Sequence, residues 1–104
     1  MKTITCSELK SRMDNQEELN LLDVREPDEH AAFNAGGKLL PLGQILATQV
    51  EDIEDWKNKE VICYCRSGKR SLQASMMLET LGFTNVKNLE GGMMAWAELQ
   101  GKTL

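Results

Sequence analysis

Short apolar runs alternate with helix-periodic stretches along the chain. LNLLDV at 19–24 is apolar and closes on a charge, which suits a strand buried on both faces. KLLPL at 38–42, ended by Pro41, reads as another strand, EVICYC at 60–65 as the clearest one and NVKNL at 85–89 as the last. Thr3 to Cys6 predicts a short leading strand. Between these runs the period becomes helical. Ser7 is the expected N-cap of a helix through Met13, with Leu9 and Met13 on one face. Positions 42, 45, 46, 50, 53 and 56 are apolar while Glu51, Asp52, Glu54 and Asp55 fall outside that stripe, so a helix is expected over 43–56. A helix over 71–81 would bury Leu72, Met76, Leu78 and Leu81 and stop at Gly82. A last helix covers 92–99 and places Trp96 in the core, after a tight turn at Glu90-Gly91-Gly92. Strands alternating with helices predict an α/β fold, a mostly parallel sheet flanked by helices on both faces.

Composition narrows the partners. At 104 residues, with no repeat, low-complexity tract or linker, residues 1–104 are expected to form a single domain. A hydrophobic share of 41% with 27% charged residues is that of an ordinary globular protein. The net charge of −4 argues against nucleic acid, whose phosphates need an extensive basic surface. No apolar run approaches the ~20 residues of a membrane span, and the start, Met1 to Thr5, lacks the apolar region of a secretory signal. Three cysteines, an odd number without framework spacing, predict reduced thiols and a cytoplasmic address, and a monomer is expected.

Candidate chemistry concentrates in CYCRSGKRS at 63–71. The strand ends at Cys65, and the loop Arg66, Ser67, Gly68, Lys69, Arg70 leads into the helix expected near Ser71, where parallel sheets bind their ligands. Gly68 permits the left-handed backbone that turns successive N–H groups inward as an anion-holding nest. The helix end and the cations Arg66, Lys69 and Arg70 should favour a thiolate. Cys65 thus reads as an activated nucleophile beside an anion site. Cys63 shares its face of the strand but lies deeper, as core packing, and Cys6 reads as a small buried hydrophobe. Cys-x-Cys with one distant histidine has no metal-ligand spacing, so neither metal nor cofactor is expected. His30, beside Glu29 in an expected loop, reads as a surface residue, and the six methionines as core filler.

Three motifs, LLDVREPDEH at 21–30, VICYCRSGKRS at 61–71 and LGFTNVKNLEGGMMAW at 81–96, together resemble the rhodanese-like sulfurtransferase family in order and spacing. The resemblance spans nearly the whole chain. It implies the single-domain form, with a central sheet of about five strands, and Cys65 as the residue that takes a sulfane sulfur as a persulfide. The donor would be a small anion such as thiosulfate, and the acceptor cyanide, a small thiol or a protein cysteine. Residues Arg66, Ser67, Gly68, Lys69, Arg70 and Ser71 would form the substrate-binding loop, with Arg66 and Lys69 steering the donor and Arg70 closing the loop. Asp23 and Arg25 would be structural, as a local ion pair. One segment departs: where the family usually reads Gly-His-Ile-Pro-Gly-Ala, this chain has the shorter FNAGGKL at 33–39, with Asn34 in place of the histidine.

Rival readings are weaker. Cysteine-dependent phosphatases and arsenate reductases use a similar loop with one residue more between cysteine and arginine. Only four separate Cys65 from Arg70, a cradle too tight for a tetrahedral phosphate. A non-catalytic rhodanese-like binding module has no use for the intact cysteine loop. A thiol–disulfide exchanger would need Cys-x-x-Cys, and a Cys-x-Cys disulfide along a strand is strained.

Overall fold

The computed structural model describes residues 2–104. Five strands, β1 (Lys2–Ile4), β2 (Leu21–Asp23), β3 (Lys38–Leu39), β4 (Glu60–Tyr64) and β5 (Asn85–Leu89), form one sheet in the order β1-β5-β4-β2-β3. Every neighbouring pair is parallel. Parallel neighbours need crossover connections, and the helices that supply them cover both faces. Central β4 shows why: Val61, Ile62, Cys63 and Tyr64 are all fully buried, with alternate side chains entering different cores.

Val61, Cys63 and Cys65 join Leu22, Ala74 and Leu78 beneath α3 (Leu42–Leu46) and α4 (Lys69–Thr80). Ile62 and Tyr64 join Leu9, Leu21, Met93 and Trp96 beneath α1 (Cys6–Asp14) and α5 (Gly92–Leu99). Each fully buried aliphatic side chain contributes roughly 1.5–3 kcal/mol by leaving water, so truncating Ile62 to alanine would cost about 2–5 kcal/mol. At the far end of the sheet, Glu60 accepts two hydrogen bonds from Arg12, at 3.0 and 2.6 Å, and pairs with Lys87 at 2.6 Å. This clamps β4 to α1 and β5, and chiefly the Arg12 guanidinium holds the Glu60 carboxyl down to about 2. No helix among the described residues is long and apolar enough to cross a membrane.

Several expected boundaries shift for identifiable reasons. The N-cap of α1 is Thr5, not Ser7, because the Thr5 hydroxyl accepts the Glu8 N–H at 3.1 Å. The expected helix over 43–56 is two elements, α3 and a 3-10 helix at Glu51–Trp56. Thr48 turns left-handed, φ 62°, and the chain closes a Schellman cap: Gln49 N–H donates to Gln44 O at 2.8 Å and Thr48 N–H to Ile45 O at 2.9 Å. The apolar period survives that break, so periodicity alone could not reveal it. The strand expected at 38–42 is only Lys38–Leu39.

Helix α4 begins at Lys69 and buries Ser71, Ala74, Ser75 and Leu78. Leu72 and Met76 face outward, 39% and 57% exposed, against expectation. A helix lying close over β4 and β5 needs small residues on its inner face, and Ser75 satisfies its hydroxyl by donating to Ser71 O at 2.7 Å. The methionines divide likewise: Met93 is core, whereas Met76 and Met94 are exposed.

Candidate active site

The crossover from β4 leads to β5 on one side, and that from β2 to β3 on the other, so the topological switch point lies between β4 and β2. Crevices outside the carboxyl ends of strands form at such points. Residues 65–68 leave β4 there, and residues 24–26 leave β2.

The loop after β4 wraps one sulfur. Gly68, at φ 106°, caps α4 and donates its N–H to Cys65 Sγ at 3.1 Å, and Ser71 Oγ lies 3.4 Å from the same atom. What aims the amides is the start of α5. Met93 N–H donates to Cys65 O at 2.8 Å and Met94 N–H to Arg66 O at 3.0 Å. In a trans peptide the C=O and N–H point oppositely, so holding the Arg66 carbonyl toward α5 turns the Ser67 N–H toward the sulfur. The approach is close enough to require glycine: a Cβ on Gly92, φ 55°, would stand 2.7 Å from Arg66 O.

Burial pushes the Cys65 thiol up, but hydrogen bonds from the Ser71 hydroxyl and from the backbone N–H groups of Ser71, Gly68 and Ser67 outweigh it and leave the thiol below its ordinary value. Cys63 lies two residues earlier on the same face, with burial opposed only by the Ser75 hydroxyl, and its thiol is driven up to about 12. Cys6 is also raised, first by burial and then by Glu90. Of the three thiols, Cys65 alone has surroundings that favour its thiolate over its ordinary state.

The charged residues serve different ends. Arg70 forms a two-pronged pair with Glu29, at 2.8 and 2.9 Å, tying α4 to α2 (Pro27–Ala32) rather than pointing at the sulfur. Arg66 and Lys69 are exposed, and Arg66 lines an open cleft beside the loop with Phe33 and Ala32. Asp23 and Arg25 form the expected ion pair: Nε donates to Oδ1 at 2.9 Å and Nη2 to Oδ2 at 2.8 Å, both groups almost wholly buried. Burial pushes the Asp23 carboxyl up, but hydrogen bonds from Arg25 and His30 hold it below its usual range. His30 is not the surface residue expected. Residues 27–32 are a helix whose first turn is closed by Glu26 N–H donating to Glu29 Oε1 at 3.1 Å, and this turns His30 Nδ1 to within 2.8 Å of Asp23 Oδ2.

The departing segment 33–39 is held by other means. Asn34 caps α2 by donating to His30 O at 2.8 Å and accepting the Gly36 N–H at 2.7 Å. The Tyr64 hydroxyl accepts the Ala35 and Gly37 N–H groups at 3.3 and 3.1 Å, and Arg25 Nη2 donates to Phe33 O at 2.6 Å.

Residues 5–99 match the family model for the Rhodanese-like domain. The chain belongs to that family. The putative sulfurtransferase YtwF of Bacillus subtilis is 39% identical over 97 residues, covering 92% of this chain and 90% of its relative. A sulfurtransferase of Allochromatium vinosum is 37% identical over 95 residues, covering 90% and 86%. The structure of the human single-domain sulfurtransferase TSTD1 superposes with a TM-score of 0.78 at 25% identity, covering 94% of this chain and 96% of that one.

The rhodanese-like site also contains residues that sequence reasoning passed over: Glu29 as the partner of Arg70, Tyr64 beneath segment 33–39, and Asn88. Asn88 lies on the same face of β5 as buried Val86, bonded to Ser71 Oγ and donating to Gly68 O at 3.2 Å. A polar residue at an inward strand position was the available signal, since such a group must find partners.

Proposed function

We propose that this rhodanese-like protein is a sulfurtransferase that carries a sulfane sulfur from an anionic donor such as thiosulfate to a nucleophilic acceptor, as a persulfide on Cys65. The observation that carries this reading is the ring of donors around one sulfur, Gly68 N–H at 3.1 Å and the Ser71 hydroxyl at 3.4 Å among them.

The Cys65 thiolate attacks the outer sulfur of thiosulfate. A sulfur–sulfur bond forms to Cys65 as the bond within the donor breaks, and sulfite leaves with its electron pair. Charge balances without proton transfer, so no base is required. The negative charge then rests on the outer sulfur, where preorganised N–H dipoles stabilise it. Cyanide or a thiolate attacks that sulfur and expels Cys65 as a thiolate, returned to the same donors. Exposed Arg66 and Lys69 steer the donor, Arg70 braces the loop through Glu29, and Asp23 with Arg25 shapes the opposite wall.

Phosphatase chemistry is disfavoured by the same geometry: an arginine bound to a carboxylate through both nitrogens is not free to clamp phosphate. Three free thiols suit a reducing compartment, and we place the protein in the cytoplasm as a monomer.

Intact mass after thiosulfate exposure tests the reading. One added sulfur atom, removed by cyanide with release of thiocyanate, is expected for the parent and for Cys63→Ser, and none for Cys65→Ser. Sulfur carried equally by the Cys65→Ser protein would overturn the assignment.

A further inference from the structure

The Ser71 hydroxyl has one hydrogen and two acceptors. Its oxygen lies 3.4 Å from Cys65 Sγ and makes a short hydrogen bond with Asn88 Oδ1. Which way the hydrogen points follows from Asn88. The amide nitrogen of Asn88 faces Gly68 O at 3.2 Å, a carbonyl that can only accept, so the amide is oriented with its oxygen toward Ser71. That oxygen accepts, and Ser71 must donate to it. While Cys65 is a thiol, the chain closes without conflict: S–H donates to Ser71 Oγ, and Ser71 O–H donates to Asn88. When Cys65 is a thiolate, the sulfur needs a donor, and the same Ser71 hydrogen is the nearest hydroxyl hydrogen that can turn to it.

We propose that Asn88 is a positioning residue that competes with the Cys65 sulfur for the Ser71 hydrogen, making that hydroxyl a two-position switch set by the charge on Cys65. The thiol proton departs to solvent on ionisation, and Ser71 keeps its own hydrogen throughout, changing only its direction. In sulfur transfer, a use that rests on the function proposed above, the hydroxyl points to the sulfur when Cys65 is the attacking or departing thiolate. It returns to Asn88 while the charge sits on the outer persulfide sulfur. Asn88 thereby restrains the acidity of Cys65 and keeps it a good nucleophile as well as a good leaving group, two demands that pull its pKa in opposite directions.

The sign of one substitution separates this from a purely structural role. Removing Asn88 frees Ser71 to donate to the thiolate alone, so the pH midpoint of Cys65 alkylation should fall. The released competing hydrogen bond corresponds to roughly 0.5 to 1 pH unit. If Asn88 served only to hold Gly68, its loss would loosen the Gly68 N–H from the sulfur and raise the midpoint. The other charged and titratable groups around the loop are Arg66, Lys69 and Arg70 on the loop and α4, and Asp23 and Arg25 at the end of β2. Glu29 and His30 on α2, Cys63 on β4, and Glu90 and Cys6 beside the start of α5 complete the set. All are retained in the variant.

The experiment measures iodoacetamide alkylation of Cys65 against pH, by mass spectrometry, in the parent, Asn88→Leu, Ser71→Ala and the double variant. A lower midpoint is expected in Asn88→Leu, a higher one in Ser71→Ala, and no further change on adding Asn88→Leu to Ser71→Ala. A raised midpoint in Asn88→Leu, or an equal shift in both backgrounds, overturns the proposal. Should Asn88→Leu fail to fold, the parent and Ser71→Ala decide: the Asn88 side-chain carbonyl carbon, followed by NMR, should titrate with the Cys65 midpoint in the parent and lose that response in Ser71→Ala, and a flat carbonyl signal in the parent refutes the switch. These readouts concern thiol ionisation. A parent that forms no persulfide would sink the sulfurtransferase reading and leave this result standing.

Discussion

Replacing Gly92 by alanine should damage the site from a distance, and the structure sets the size of the effect. At φ 55° a Cβ is strained, by roughly 1 kcal/mol in the left-handed region. The same Cβ would stand 2.7 Å from Arg66 O and 2.8 Å from the Arg66 carbonyl carbon, backbone atoms that cannot rotate aside. Overpacking of that kind costs a further 1–3 kcal/mol or about that. The sum, roughly 2–4 kcal/mol, should lower the melting temperature by on the order of 10 °C or more. Gly36 separates the two contributions, being left-handed at φ 90° with nothing within 4 Å of an added Cβ. Gly36→Ala should therefore show the strain alone. Relieving the clash at Gly92 moves the carbonyls of Cys65 and Arg66 off the Met93 and Met94 N–H groups, and the Ser67 N–H turns from the sulfur with them. The thiol then rises toward its ordinary value near ~8.5. Thermal unfolding by circular dichroism and alkylation by iodoacetamide across pH measure both effects. If Gly92→Ala melted together with Gly36→Ala and kept the parental alkylation midpoint, the α5 start would have no hold on the loop.

Other consequences are as direct. Replacing Arg66 and Lys69 together with alanine should raise the Michaelis constant for thiosulfate by a few-fold to about tenfold while leaving the alkylation midpoint near the parental one, because backbone amides and Ser71 serve the sulfur; a midpoint shift of a whole unit would return the acidity to the cations. The Arg70 guanidinium holds the Glu29 carboxyl down to about 2, so this pair adds stability above the unfolded carboxylate range near ~4.3 and loses it as pH falls toward 2. Urea midpoints of the parent should thus decline more steeply between pH 5 and pH 2 than those of Glu29→Gln, and parallel curves would contradict the pair. Thr48, a β-branched residue at φ 62° on the surface, should yield a more stable protein as Thr48→Gly, by about 0.5–1 kcal/mol after the larger unfolded-state entropy of glycine; an unchanged or lower melting temperature would show that the turn stores no strain.

What the sequence disclosed depended on how local the cause was. The central strand β4 was legible because a parallel strand buried on both faces must be apolar, as Val61 to Tyr64 are. The loop around Cys65 was legible because its N-capping glycine and helix start follow within a few residues. The direction of α4 was not: a stripe of Leu72 and Met76 looks more apolar than one of Ser71, Ala74 and Ser75, and only the close approach of the helix to the sheet makes the small residues the inner ones. His30 was misjudged for a similar reason, since its partner Asp23 comes within reach only once residues 27–32 coil over the end of β2.

The groups that reach the Cys65 sulfur are a backbone N–H and a hydroxyl rather than cations, and the strand order puts their supports in place. Parallel β5 pairs with β4 along Val86 opposite Val61 and Asn88 opposite Cys63, so the chain leaving β5 arrives beside the chain leaving β4. That one adjacency delivers two separate supports to the same loop: the α5 N–H groups, which take the Cys65 and Arg66 carbonyls, and Asn88, which takes Gly68 and Ser71. Neither support is a cation, and both act within hydrogen-bond distance in a buried setting where salt screens little. Arg66 and Lys69 stand outside, where screening is strong and steering is what a charge does best. The acidity of Cys65 should accordingly resist added salt, whereas the apparent affinity for an anionic donor should weaken. A titration of both from low to about 0.5 M sodium chloride would separate the two contributions. Equal salt dependence of the alkylation midpoint and the Michaelis constant would show that the cations, after all, do both jobs.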